Sequence, residues 1–81
     1  MKKPLYLYLV ERTDEGTHYD EFVSMVVAAH TFKEASQMKP CANGWEEYGP
    51  SFRPPVKVTR IGTAARGVKR GEVLHTYFYH A

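Results

Sequence analysis

The run Leu5-Tyr6-Leu7-Tyr8-Leu9-Val10 alternates leucine with tyrosine at a period of two, which is the repeat of a β-strand and not of a helix. Three more strand-like runs follow it, Tyr19 to Ala29, Val56 to Ile61 and Glu72 to Tyr79, with one helix-forming segment between the second and third. That order, in a chain of 81 residues, predicts a single α+β domain. Its expected architecture is a four-stranded, mainly antiparallel sheet in ββαββ order with one short helix on one face. A chain this short buries only about 60–65% of the surface its unfolded form exposes, so most apolar side chains are needed for folding and few remain to line a deep pocket. The expectation is a binding protein without catalytic activity.

The turn residues Thr13-Asp14-Glu15-Gly16-Thr17 join the first two runs into a hairpin. Thr31-Phe32-Lys33-Glu34 has the form of a capping box, in which the Thr31 hydroxyl and the Glu34 carboxylate each satisfy an amide of the first turn. Phe32, Ala35 and Met38 then fall on one side of a helix of about two turns, which Pro40 terminates. From Lys39 to Pro55 the chain is rich in proline and glycine and reads as a long irregular connection. Its aromatics Trp45, Tyr48 and Phe52 are expected to fold it back over the edge of the core. The apolar phase changes between Val58 and Ile61, which predicts a bulge or a strand end. The glycine-punctuated stretch from Gly62 to Gly71 reads as a second hairpin loop, joining the third strand to the fourth.

One helix covers one face of such a sheet, and the assignment of faces decides what stays open. With Leu5, Leu7, Leu9, Leu74 and Phe78 facing the helix, Tyr6, Tyr8, His75, Tyr77 and Tyr79 form a tyrosine-rich platform opposite. The other phase of the last strand, with Val73, His75, Tyr77 and Tyr79 inward, is also open. Charge is divided too. Between Arg53 and Arg70 the chain carries six basic residues and no acidic one, whereas the first hairpin carries Glu11, Asp14, Glu15, Asp20 and Glu21 against Arg12 alone. Lys57, Arg60, Arg66, Lys69 and Arg70 are therefore candidate contacts for phosphates or for a carboxylate-rich protein surface. Exposed tyrosines beside cations also suit single-stranded nucleic acid or RNA, although the Lys/Arg-Gly-Phe-Gly-Phe type of motif is missing and the element order differs from the RNA-recognition fold. Tyrosine and arginine are equally typical anchors of a homodimer or a protein partner, which is the preferred reading.

Other chemistry is thinly supported. His18, His30, His75 and His80 include no closely spaced pair, and the odd offset between His75 and His80 sends their rings to opposite faces of a strand, so neither a metal nor another cofactor is expected. Cys41 has no assignable base, and Ser36-Gln37-Met38-Lys39 matches a Ser-x-x-Lys motif by chance. The lone cysteine and the lack of a cleavage site after Met1-Lys2-Lys3-Pro4 point to the cytoplasm. No window approaches the ~18 apolar residues of a membrane span.

The layout as a whole resembles a known group. Leu5-Tyr6-Leu7-Tyr8-Leu9, Val26-Val27-Ala28-Ala29, Thr31 with Glu34-Ala35, Trp45, Val56 to Ala64 and Gly71-Glu72-Val73-Leu74 together resemble small accessory proteins encoded by tailed bacteriophages. They are also similar in pattern to some anti-CRISPR inhibitors, which present charged strand and loop surfaces to type I surveillance complexes and block DNA binding. The resemblance implies a protein of the host cytoplasm that binds and inhibits a host protein or protein–nucleic-acid machine. A structural homodimer or virion-associated part is the further alternative.

Overall fold

A computed structural model describes residues 4–14, 21–40, 44–45 and 54–79, with the backbone only of Glu21, Phe78 and Tyr79. The elements are β1 (Tyr6–Arg12), β2 (Glu21–Ala29), α1 (Phe32–Ser36), β3 (Val56–Thr63) and β4 (Val73–Tyr79). They form the expected α+β fold, a four-stranded sheet in the order β3-β1-β2-β4 with every neighbouring pair antiparallel. The β1–β2 hairpin occupies the centre, and β3 and β4 are added on its two free sides.

That order corrects the expected second hairpin. Because β3 and β4 lie on opposite edges, the segment between them crosses the end of the sheet instead of turning back on itself. Three strand spacings of about 4.8 Å separate the edges, roughly 14 Å, a distance that a tight hairpin turn does not span. The crossover is stitched to the strands it passes. The Ala64 amide donates to the Leu5 carbonyl (2.8 Å), the Gly71 amide to the Ala28 carbonyl (2.9 Å) and the Ala28 amide to the Glu72 carbonyl (2.9 Å). Gly67 and Gly71, with φ of 98° and 85°, make its two sharp turns, where a side chain would strain the backbone.

The expected face assignment of β1 is also reversed. Tyr8 and Val10 are buried, with Met25, Val27, Ala29, Ala35 and Trp45 around them, and Tyr6 packs half-buried on the same cluster. In register, Tyr6, Tyr8 and Val10 stand opposite Ala29, Val27 and Met25, whereas Leu7 and Leu9 stand opposite Ala28 and Val26 on the other face. The physical reason is volume. Ala29 beneath Tyr6 and Ala35 on the covering helix leave room that leucine would not fill and a phenol ring does. Tyr8 meets Tyr6 edge-on (centroids 6.3 Å apart) and Phe32 at 5.0 Å, so the aromatic stack joins sheet and helix.

The helix begins where its sequence predicts, but only the Thr31 half of the capping box forms, because Arg70 takes the Glu34 carboxylate. The Thr31 hydroxyl accepts from the Glu34 amide at 3.1 Å, and the helix ends at a Gln37 cap, a turn shorter than expected. Trp45 is 2% exposed, which bears out the folding-back of the irregular connection at that residue; Tyr48 and Phe52 lie outside the described residues. The expected phase change in the third strand is a bulge. Leu7 pairs with Gly62 but Tyr8 with Arg60, so Ile61 is the extra residue and the strand runs on to Thr63.

Candidate interaction surfaces

Each edge strand carries an irregularity that re-aims its side chains. On β3 the bulge at Ile61 keeps Val56, Val58 and Arg60 in register with Arg12, Val10 and Tyr8, on the covered face, and sets Lys57 and Thr59 opposite Glu11 and Leu9 on the open one. On β4 the register shifts between Val26 and Val27, leaving Leu74 as the extra residue. Val73 thus faces the core, and His75 and Tyr77 stand opposite Val26 and Ser24 on the open face.

The candidate cations consequently divide. Arg60 lies over the Tyr6 ring, its guanidinium carbon 4.6 Å from the centroid, and is committed to packing. Arg70 makes a two-pronged pair with Glu34, Nε to Oε1 and a terminal nitrogen to Oε2, both at 2.9 Å. This clasp ties the crossover to α1. The hydrogen bond from Arg70 is the main cause that holds the Glu34 carboxyl below its usual range, against a smaller opposing effect of burial. Lys57, Arg66 and Lys69 are exposed and make no ion pair among the described residues. Of the five expected cationic contacts, these three stay available, one on the open face and two on the crossover.

The expected tyrosine platform does not assemble. Tyr8 is buried and Tyr6 is half-buried under Arg60, while His75 and Tyr77 are exposed, Tyr77 at 53%. The Tyr79 side chain lies outside the described residues, as do His18, Cys41 and His80. In place of tyrosines, the face opposite α1 carries half-buried aliphatic residues, Leu7 and Leu9 from β1 beside Val26 from β2, bordered by the exposed Lys57 on one side and Tyr77 on the other, while Ala28 on the same face is fully buried. Among the described residues no helix lies over this face, and contiguous apolar side chains on such a face are a common feature of docking surfaces.

One residue has a structural role that its sequence context did not suggest. Arg12 continues the inward phase of Tyr6, Tyr8 and Val10, and its side chain is 1% exposed. Its guanidinium pairs with both carboxylate oxygens of Asp14, donates to the Phe22 carbonyl at 3.4 Å and lies 5.9 Å from the centre of the Trp45 ring. It holds the end of the hairpin, β2 and the irregular connection together. The signal was present in the unbroken alternation from Tyr6 to Arg12, which a charged residue at the strand end concealed.

His30 holds the start of the described chain, its Nδ1 2.8 Å from the Pro4 carbonyl oxygen. Among the described residues, no group of three or more His, Cys, Asp or Glu side chains is placed to hold a metal ion. No helix there is long and apolar enough to cross a membrane.

Fold and surfaces together define a small antiparallel α+β protein in which, among the described residues, one helix covers one side of the sheet. No protein-family model matches the chain, and no characterised protein or solved structure is significantly similar to it.

Proposed function

We propose that this is a non-catalytic binding protein that engages and inhibits a host protein or protein–nucleic-acid machine through the open face of its sheet. The observation that carries this reading is the half-buried aliphatic group of Leu7, Leu9 and Val26 on the face opposite α1, which no described helix covers. Lys57 at its margin and Arg66 and Lys69 on the crossover add exposed positive charge that no described ion pair engages, which suits a partner with an acidic border. The resemblance of the sequence pattern to small phage accessory proteins and some anti-CRISPR inhibitors agrees with the same reading. Direct binding of single-stranded nucleic acid is less favoured, because two of the rings it would stack on are withdrawn, Tyr8 into the core and Tyr6 half-buried against it, although Tyr77 stays exposed.

The test is capture of partners from bacterial extract by the wild-type protein and by Leu9→Lys and Lys57→Glu variants. The reading expects a defined partner retained by the wild type and lost at least tenfold from both variants while each stays folded. Capture that survives both changes contradicts it. Titration with labelled single-stranded oligonucleotides at low and high salt decides the alternative, since direct binding must weaken steeply as salt rises.

A further inference from the structure

The two edges of the sheet are not equivalent. An edge strand presents unpaired amides and carbonyls, and proteins protect such edges with prolines, charges and bulges. β3 has all three: Pro54 and Pro55 stand before it, Lys57 and Arg60 lie within it, and the bulge at Ile61 interrupts it. β4, Val73-Leu74-His75-Thr76-Tyr77-Phe78-Tyr79, contains no proline, glycine, lysine, arginine or carboxylate; its pairing with β2 shifts register twice, but past the bulge at Leu74 the extra residue is Val23 of β2, and the β4 residues themselves run in sequence from His75 to Tyr79. Most of them are strong strand formers. Leu74 and Tyr77 are exposed along it, at 38% and 53%.

We infer that β4 is a self-association edge, pairing antiparallel with the β4 of a second copy of this chain across a two-fold axis to make one continuous eight-stranded sheet. A second copy fits this edge because it offers an equally long strand that also lacks full charges. A two-fold pairing through β3 centred near Lys57 would bring the exposed Lys57 of the two copies together, a like-charge contact that β4 avoids. The same guarding of β3 limits assembly to two copies, since each dimer exposes only protected edges. With the axis at Thr76, His75 of each copy stands opposite the Tyr77 of the other, and the two open faces join edge to edge into a single apolar surface. The inference stands on the β4 edge alone and does not depend on which partner the open face binds.

Two measurements on the full 81-residue chain test it. Light scattering during size exclusion should give the mass of two chains. The paired change His75→Lys with Tyr77→Lys places lysines opposite lysines and should raise the dissociation constant at least tenfold. His75→Lys with Tyr77→Glu places opposite charges in the same positions and should restore the dimer. Both side chains are exposed, so the fold should persist, as circular dichroism would check. Amide exchange on the wild type supplies a readout free of substitutions: in the dimer the amides from His75 to Tyr79 should all be protected, whereas a free edge leaves alternate ones fast. A single-chain mass at millimolar concentration, an open-ended series of oligomers, alternate fast amides within a dimer, or equal association of the two paired variants would each overturn the inference.

Discussion

Tyr8 sits where an aliphatic residue was expected, and its position sets a contrast with its neighbour. It lies in the centre of the core against Val27 and Phe32, while Leu9 points to the open face. Tyr8→Ala should therefore cost about 3–5 kcal/mol, in the range of buried aromatic truncations, and Leu9→Ala only about 1 kcal/mol. Urea denaturation of the two variants checks this, and equal losses would restore the opposite phase. Arg12 makes the second prediction at this scale. Replacing it by alanine removes the guanidinium from the Asp14 carboxylate, the Phe22 carbonyl and the Trp45 ring, at an expected cost of about 3 kcal/mol. The same denaturation series, with Trp45 fluorescence as the probe, measures it.

At the scale of elements, the clasp between α1 and the crossover makes stability depend on pH. The Glu34 carboxyl titrates below its ordinary value of 4.5 in the folded protein, so on acidification the unfolded chain takes up its proton first. The stabilisation is complete above the unfolded value and is lost as pH falls through the lower folded one. Glu34→Gln should remove this part of the acid sensitivity, and comparing urea midpoints of the variant and the wild type near neutrality and at about pH 3.5 would show it. The strands, the Thr31 cap and the bulge at Ile61 were legible in the sequence because each depends on neighbours within a few residues. The face of β1 was not, since leucine and tyrosine alternate there with equal regularity and the choice between them rests on Ala29 and Ala35, distant in sequence. The pairing of the edges was not legible either, because glycines at 62, 67 and 71 serve a hairpin and a crossover equally well. For the candidate site, the basic stretch was visible, but the engagement of Arg60 with Tyr6 and of Arg70 with Glu34 was not.

For the whole molecule, the crossover is the feature that organises the rest. It closes one end of the sheet, carries the exposed Arg66 and Lys69, and leaves β3 and β4 as the two outer strands. Replacing residues 64–71 by a two-residue Asn-Gly turn would suit a hairpin and should prevent this fold, which circular dichroism and thermal melting would report. The account places binding on the uncovered sheet face, away from the tyrosines in the core. The most direct measurement is a quantitative comparison of partner capture by wild type, by Leu9→Lys on the open face and by Phe32→Lys, whose half-exposed side chain lies on the covered side. The account predicts at least a tenfold loss for Leu9→Lys and little change for Phe32→Lys, with both proteins folded. Capture abolished by Phe32→Lys and untouched by Leu9→Lys would contradict it.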